Sequence, residues 1–148
     1  MHKWFGRAKP VWPEAYTSIS VAAGATLNIK GDPILSVAKI GGGGTVSGGS
    51  FADVSEIEVA CSGGATEPFS ISGGVSFAQS VTVTLTGEPG TLVSGGTYPL
   101  VNASSMAGLE NVTWTVEGLP ARQRRKVSAS GGTLSVTLVP AGTAIIFR

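Results

Sequence analysis

One cysteine, Cys61, and one histidine, His2, are all that a chain of 148 residues offers to thiol or imidazole chemistry. A single cysteine excludes an intramolecular disulfide and a thiolate metal cluster. It does not argue against an extracellular site, because a β-protein of this size has no need of disulfide staples. A nucleophile activated by histidine needs that base within hydrogen-bond reach, and a histidine at the second position is poorly placed to supply it. Charge is also scarce. Only 13% of residues are Asp, Glu, Lys or Arg, against about 25% in an ordinary domain. The net charge of +1 gives no electrostatic footprint for nucleic acid, which requires a strongly basic face. No apolar run approaches the roughly 18 residues of a membrane-crossing helix, so no membrane-spanning segment is expected.

What the chain has in quantity is glycine, 22 residues, about twice the usual share of ~7%. Low charge marks disorder only when hydrophobicity is also low. Here 42% of residues are hydrophobic. The composition therefore predicts many short strands joined by glycine turns. The length fits one domain with a core large enough to stand without staples.

Residues 1–16 differ from all that follows. They carry Trp4, Phe5, Trp12 and Tyr16, the cations Lys3, Arg7 and Lys9, and two prolines, Pro10 and Pro13. Proline disfavours both helix and central strand, so an extended arm is expected. Its aromatics make it a candidate self-association surface. The arm lacks the apolar stretch of a secretory signal, and the expectation is that the first residue is not the native start.

From Thr17 the texture becomes period-2 alternation broken by glycine. Ile19 and Val21, then Leu27 and Ile29, then Ile34 to Ile40, predict successive short strands. Ser80 to Thr86 alternates strictly, with Val81, Val83 and Leu85 on one face. Val21, Leu27, Ile29, Val37, Val46, Val59 and Ile71 are also expected to point inward. No window carries helical apolar spacing, so no long helix is expected. Glycine doublets recur at 41–44, 48–49, 63–64, 73–74, 95–96 and 131–132. A strand-and-turn unit that returns in this way predicts stacked coils, each burying its apolar face on the next. Residues 17–90 are read as short parallel β-solenoid coils. A β-sandwich is the alternative, because it also gives many short strands with frequent turns.

Residues 91–148 are read as a C-terminal antiparallel cap. Val112, Trp114 and Val116 share one face, as do Leu134, Val136 and Leu138. Between these runs a turn carries a basic tip, Arg122, Arg124, Arg125 and Lys126. A last strand is expected over 143–147. Such a meander would cover the strand edges at one end of a stack, and bare edges aggregate.

Residues 21–49, VAAGATLNIKGDPILSVAKIGGGGTVSGG, contain Val21, Gly24, Ala25, Thr26, Leu27 and Gly31, then Gly44, Thr45 and Val46. This pattern resembles the strand units of autotransporter-associated β-strand repeat proteins, which are large bacterial surface proteins. The ending GGTLSVTLVPAGTAIIFR resembles the C-terminal finish of passenger-like surface proteins with β-helical stalks. The resemblance implies an extracellular or cell-surface location and a structural role.

Chemistry is harder to find. Asp53, Glu56 and Glu58 are close in sequence, but Glu56 and Glu58 alternate with Ile57 and Val59. That spacing predicts the solvent face of an amphipathic strand, with no acid and base pair of the glycosidase kind. Gly41 to Gly44 lacks the Lys-Ser/Thr finish of a phosphate loop and reads as a corner. Cys61, beside Gly63 and Gly64, reads as a small half-buried residue at a corner. Asn102 and Asn111 open glycosylation sequons that are taken as chance in a bacterial protein. The basic cluster could meet an anionic partner or simply be a solvated tip. The expectation is a non-catalytic structural or adhesive module, with no cofactor and no metal, that associates with copies of itself or with adjacent repeats and assembles into fibres. A carbohydrate-binding or accessory module of a secreted polysaccharide-active protein, in contact with surface glycans, is the alternative.

Overall fold

The computed structural model describes residues 15–120 and 122–140. Among them the chain is all-β, with no α-helix. Its strands are β1 (Ala15–Ser20), β2 (Thr26–Asn28), β3 (Ile34–Gly41), β4 (Thr45–Ser47), β5 (Ser50–Ser62), β6 (Ala65–Glu67) and β7 (Phe69–Ile71). They continue with β8 (Gly74–Gly87), β9 (Thr97–Asn102), β10 (Ser105–Ala107), β11 (Thr113–Glu117), β12 (Arg124–Ser130) and β13 (Thr133–Val139).

The strands form two sheets. In the first, β1, β3, β5 and β8 lie side by side in parallel, and β10 and β11 both pair along the far edge of β8. In the second, β2, β4, β7 and β9 are parallel neighbours, then β13 pairs antiparallel with β9 and β12 antiparallel with β13. Parallel neighbours require a long crossover, commonly a helix. Here each crossover runs through the opposite sheet: the chain passes through β4 between β3 and β5, and between β5 and β8 it turns back as β6, antiparallel along the end of β5, before passing through β7.

The alternating sequence explains the facing. Val81, Val83 and Leu85 are buried in β8, and the threonines between them lie on the outer face. In-register pairing stacks like on like. Ile19, Ile40, Ile57, Val83 and Val116 stand opposite one another across five layers of the first sheet. Leu27, Val46 and Ile71 do the same in the second. Both columns belong to one apolar core, in which the Phe51 and Phe69 rings lie 6.2 Å apart. Each fully buried Val, Leu, Ile or Phe contributes about 1.5–3 kcal/mol through lost water contact. Of the residues expected to point inward, all are buried except Leu27, which is half-buried on its short edge strand.

The glycine run at 41–44 is a corner where successive layers touch. Gly42 has a φ of +102°, and a Cβ there would lie 2.3 Å from the Val21 carbonyl oxygen. A Cβ on Gly44 would lie 2.4 Å from the Ala22 oxygen. The Gly44 N–H instead donates to the Val21 carbonyl at 2.8 Å.

The C-terminal part departs from the sequence expectation. β11 does not join an antiparallel meander; it extends the first sheet in parallel along β8. The meander is β9, β13 and β12. The stretch expected as a basic hairpin tip opens the edge strand β12, and the tip falls at Gly131 and Gly132. A run of Arg and Lys reads as loop by charge, yet β12 alternates outward and inward like any edge strand. The strand expected at 143–147 lies outside the described residues.

Candidate functional site

The carboxylates singled out in the sequence all lie on β5. Asp53 sits at a bend, where the register with β8 breaks on either side of Val54. Its φ of +61° is left-handed, a conformation that Asp tolerates better than most residues. Its Oδ2 accepts a hydrogen bond from the Ser36 hydroxyl at 3.3 Å. Glu56 is exposed and stands opposite Lys39 and Thr82. Glu58 lies one outward position further on, 3.8 Å from the Lys39 ammonium, and both partners of that pair are about 40% exposed. Such a pair is worth little. Glu56 and Glu58 are therefore on the solvent side, as their spacing predicts. Among the described residues no group of three or more His, Cys, Asp or Glu is placed to hold a metal ion.

The four residues of the basic cluster do not act together. Arg122, Arg124 and Lys126 are exposed. Arg125 alternates to the inner side, opposite Leu138 of β13, and is half-buried. Its guanidinium is spent on backbone: Nε donates to the Gln123 carbonyl (2.8 Å), Nη1 to Val116 (2.9 Å) and Nη2 to Pro120 (3.0 Å). The bond to Val116 ties β12, the edge strand of the second sheet, to β11, which lies along the far edge of the first. Arg125 is thus a closing group at the end of the core. The signal for this was its parity with Val127, which the density of charge around it hid.

Cys61 is not at a corner. It is buried in β5, opposite Thr66 of β6 and Gly87 of β8, and burial pushes its thiol pKa up. Among the aromatics of the strands, Phe51, Phe69 and Phe77 are buried, and the half-buried Trp114 packs edge-on against Phe77 at 5.5 Å. Of the arm residues, Trp4, Phe5 and Trp12 lie outside the described residues. Tyr16 falls in β1, opposite Val37.

One surface was not legible in the sequence. The starts of β3, β5, β8 and β10 form a shallow groove of about 210 Å³ on the outer face of the first sheet. Gly74 and Ser76 of β8 stand opposite Ser105 and Ala107 of β10, and Ser50 and Ala52 of β5 line the same groove, so the floor is made of small side chains. Ile34, 73% exposed, forms a wall. The groove needs residues from four strands to fall in register, and no local window shows that. Among the described residues no helix is long and apolar enough to cross a membrane. Comparison with protein-family models, with curated proteins and with solved structures finds no match to this chain.

Proposed function

We propose that this chain is a non-catalytic structural module of a bacterial extracellular or cell-surface protein, built as a short β-solenoid and related in kind to the autotransporter-associated β-strand repeats its sequence resembles. The observation that carries the reading is the contrast between the two ends of the stack. At one end β12 and Arg125 close the core. At the other, β1 and β2 are edge strands as β12 is, but among the described residues no side chain bridges them as Arg125 bridges β12 to β11, and Ile19 and Leu27 are only half-buried. An end of that kind is suited to receiving a further coil, from an adjacent repeat or from another copy. The order of strands favours a solenoid over a sandwich of antiparallel sheets: β1, β3, β5 and β8 in one sheet and β2, β4, β7 and β9 in the other are added in chain order and in parallel. The buried positions of Phe51, Phe69 and Phe77 weigh against a carbohydrate-binding platform. Arg122, Arg124 and Lys126 remain open to an anionic glycan.

Light scattering across a concentration series, with electron microscopy of the same samples, tests the self-associating part. Growth of oligomers that add through the β1 and β2 end is the expected result. A monodisperse monomer at the highest concentration removes it.

A further inference from the structure

We propose that the groove on the outer face of the first sheet is the docking site for the chain's own N-terminal arm, residues 1–14, with Trp12 seated against Ile34. The inference does not depend on the module's wider role.

Three observations point to this occupant. The first is where the arm meets the fold. Ala15 opens β1 opposite Ser36, two residues along β3 from Ile34, or about 6.6 Å of strand rise. Trp12 is three residues before Ala15, so its Cα lies within ~11 Å of that point at full extension. The groove spans four strands, roughly 14 Å at ordinary strand spacing, and fourteen residues of arm can cross it more than once. The second is shape. The floor offers Gly74, Ala52, Ser76 and Ala107, which leave a shallow, flat bed beside an exposed isoleucine. A flat aromatic ring fills such a bed with large apolar contact, and an exposed Ile34 would gain cover. The third is charge. The arm carries Lys3, Arg7 and Lys9 against the single acid Glu14. Beyond the groove the same sheet bears Asp53, Glu56 and Glu58 on β5, with Lys39 the one cation beside them. Opposite charge at that distance steers a tethered segment onto the face. Pro10 and Pro13 cannot donate ladder hydrogen bonds, so the arm binds by side chains rather than as an added strand. Because the arm is tethered, its effective concentration is in the millimolar range and a weak contact suffices.

The test uses the full chain with Trp4→Phe and Trp114→Phe, which leaves Trp12 as the sole tryptophan. Acrylamide quenching of Trp12 and the trypsin cleavage rate at Arg7 are compared in this protein and in two derivatives, Ala52→Arg, which fills the floor, and Ile34→Ser, which removes the wall. Ile34 is outside the core, so the second derivative keeps the fold even if the first does not. Both derivatives are expected to expose Trp12 to quencher and to speed cleavage roughly tenfold, the equivalent of ~1.4 kcal/mol, with an unchanged melting temperature for the sheets. Equal quenching and equal cleavage in all three proteins would overturn the proposal. Protection that disappears on dilution would also overturn it, because the arm would then lie on another copy.

Discussion

The parallel layers and the antiparallel end are built from the same alternating residues but are held differently. Ile57, in the middle of the first sheet, has Ile40 on one side and Val83 on the other, and is 1% exposed. Val127, on β12, has only Val136 beside it and is half-buried. None of the residues of β12 is buried, whereas β5 buries every inward position before and after its bend. A layer with neighbours on both sides is stabilised by its apolar column. A terminal layer has half of that, so it is held by side chains that bond to backbone and guarded by charge along its edge. Arg125 serves the first purpose, and Arg124 and Lys126 serve the second.

The sharpest way to break this comparison is to place the same charge in each region. Val59→Asp puts an unpaired carboxylate at a position with no solvent exposure. We expect a loss of more than about 4 kcal/mol, enough to unfold a domain of ordinary stability. Val127→Asp is expected to cost about 1 kcal/mol, because its carboxylate can reach water. Thermal unfolding followed by circular dichroism measures both. Equal shifts would mean that the two regions are not held differently.

A second comparison uses glycine. Gly44→Ala drives a methyl group into the Ala22 carbonyl of the layer below, which backbone cannot easily yield. About 3 kcal/mol is expected, the upper end for overpacking. Gly131, at the tip between β12 and β13, has a φ of +61° and no atom within 4 Å of an added Cβ. Gly131→Ala should cost only the left-handed conformation, about 1 kcal/mol. Denaturant midpoints of the two variants test the order. The reverse order would show that the antiparallel tip, and not the layer contact, is the tighter structure.

These contrasts follow what the sequence could and could not reveal. Alternation is a local signal, so the facing of Val37, Val59, Val83 and Leu138 was legible within windows of a few residues. Leu27 was read correctly as inward, but its partial exposure comes from being on a three-residue strand at the edge of a sheet, which is a property of neighbours. The partner of a strand is a long-range fact. β11 and β13 have the same pattern, and nothing within either assigns one to the parallel sheet and the other to the antiparallel pair. The bend at Asp53 and the groove beside it were hidden for the same reason, since each depends on where β3, β5 and β8 fall in register. The basic cluster misled through composition: four cations in five residues suggest a solvated loop, although their alternation already separates Arg125 from Arg124 and Lys126.

That separation gives the finest test of the comparison. Arg125→Met keeps an apolar stem over Leu138 but removes the donors to Val116, Pro120 and Gln123. Hydrogen bonds to a charged donor contribute about 1.5–3 kcal/mol each at most, and a half-buried guanidinium realises only part of that. A net loss of about 2 kcal/mol is expected. The acceptors are neutral carbonyls rather than carboxylates, so added salt should change the loss little. Arg125→Lys should not rescue it, because one ammonium cannot reproduce the planar fork that spans three carbonyls. Arg124→Gln, one residue earlier on the outer face, should stay within about 0.5 kcal/mol of the parent. Melting temperatures at low and high salt separate these cases, and amide hydrogen exchange locates the change. Faster exchange in β12 and β13, with β5 and β8 unaltered, is the signature of an end that opens while the parallel layers hold. If Arg124→Gln is as costly as Arg125→Met, the end is held by charge in general and not by the bridge from Arg125 to β11.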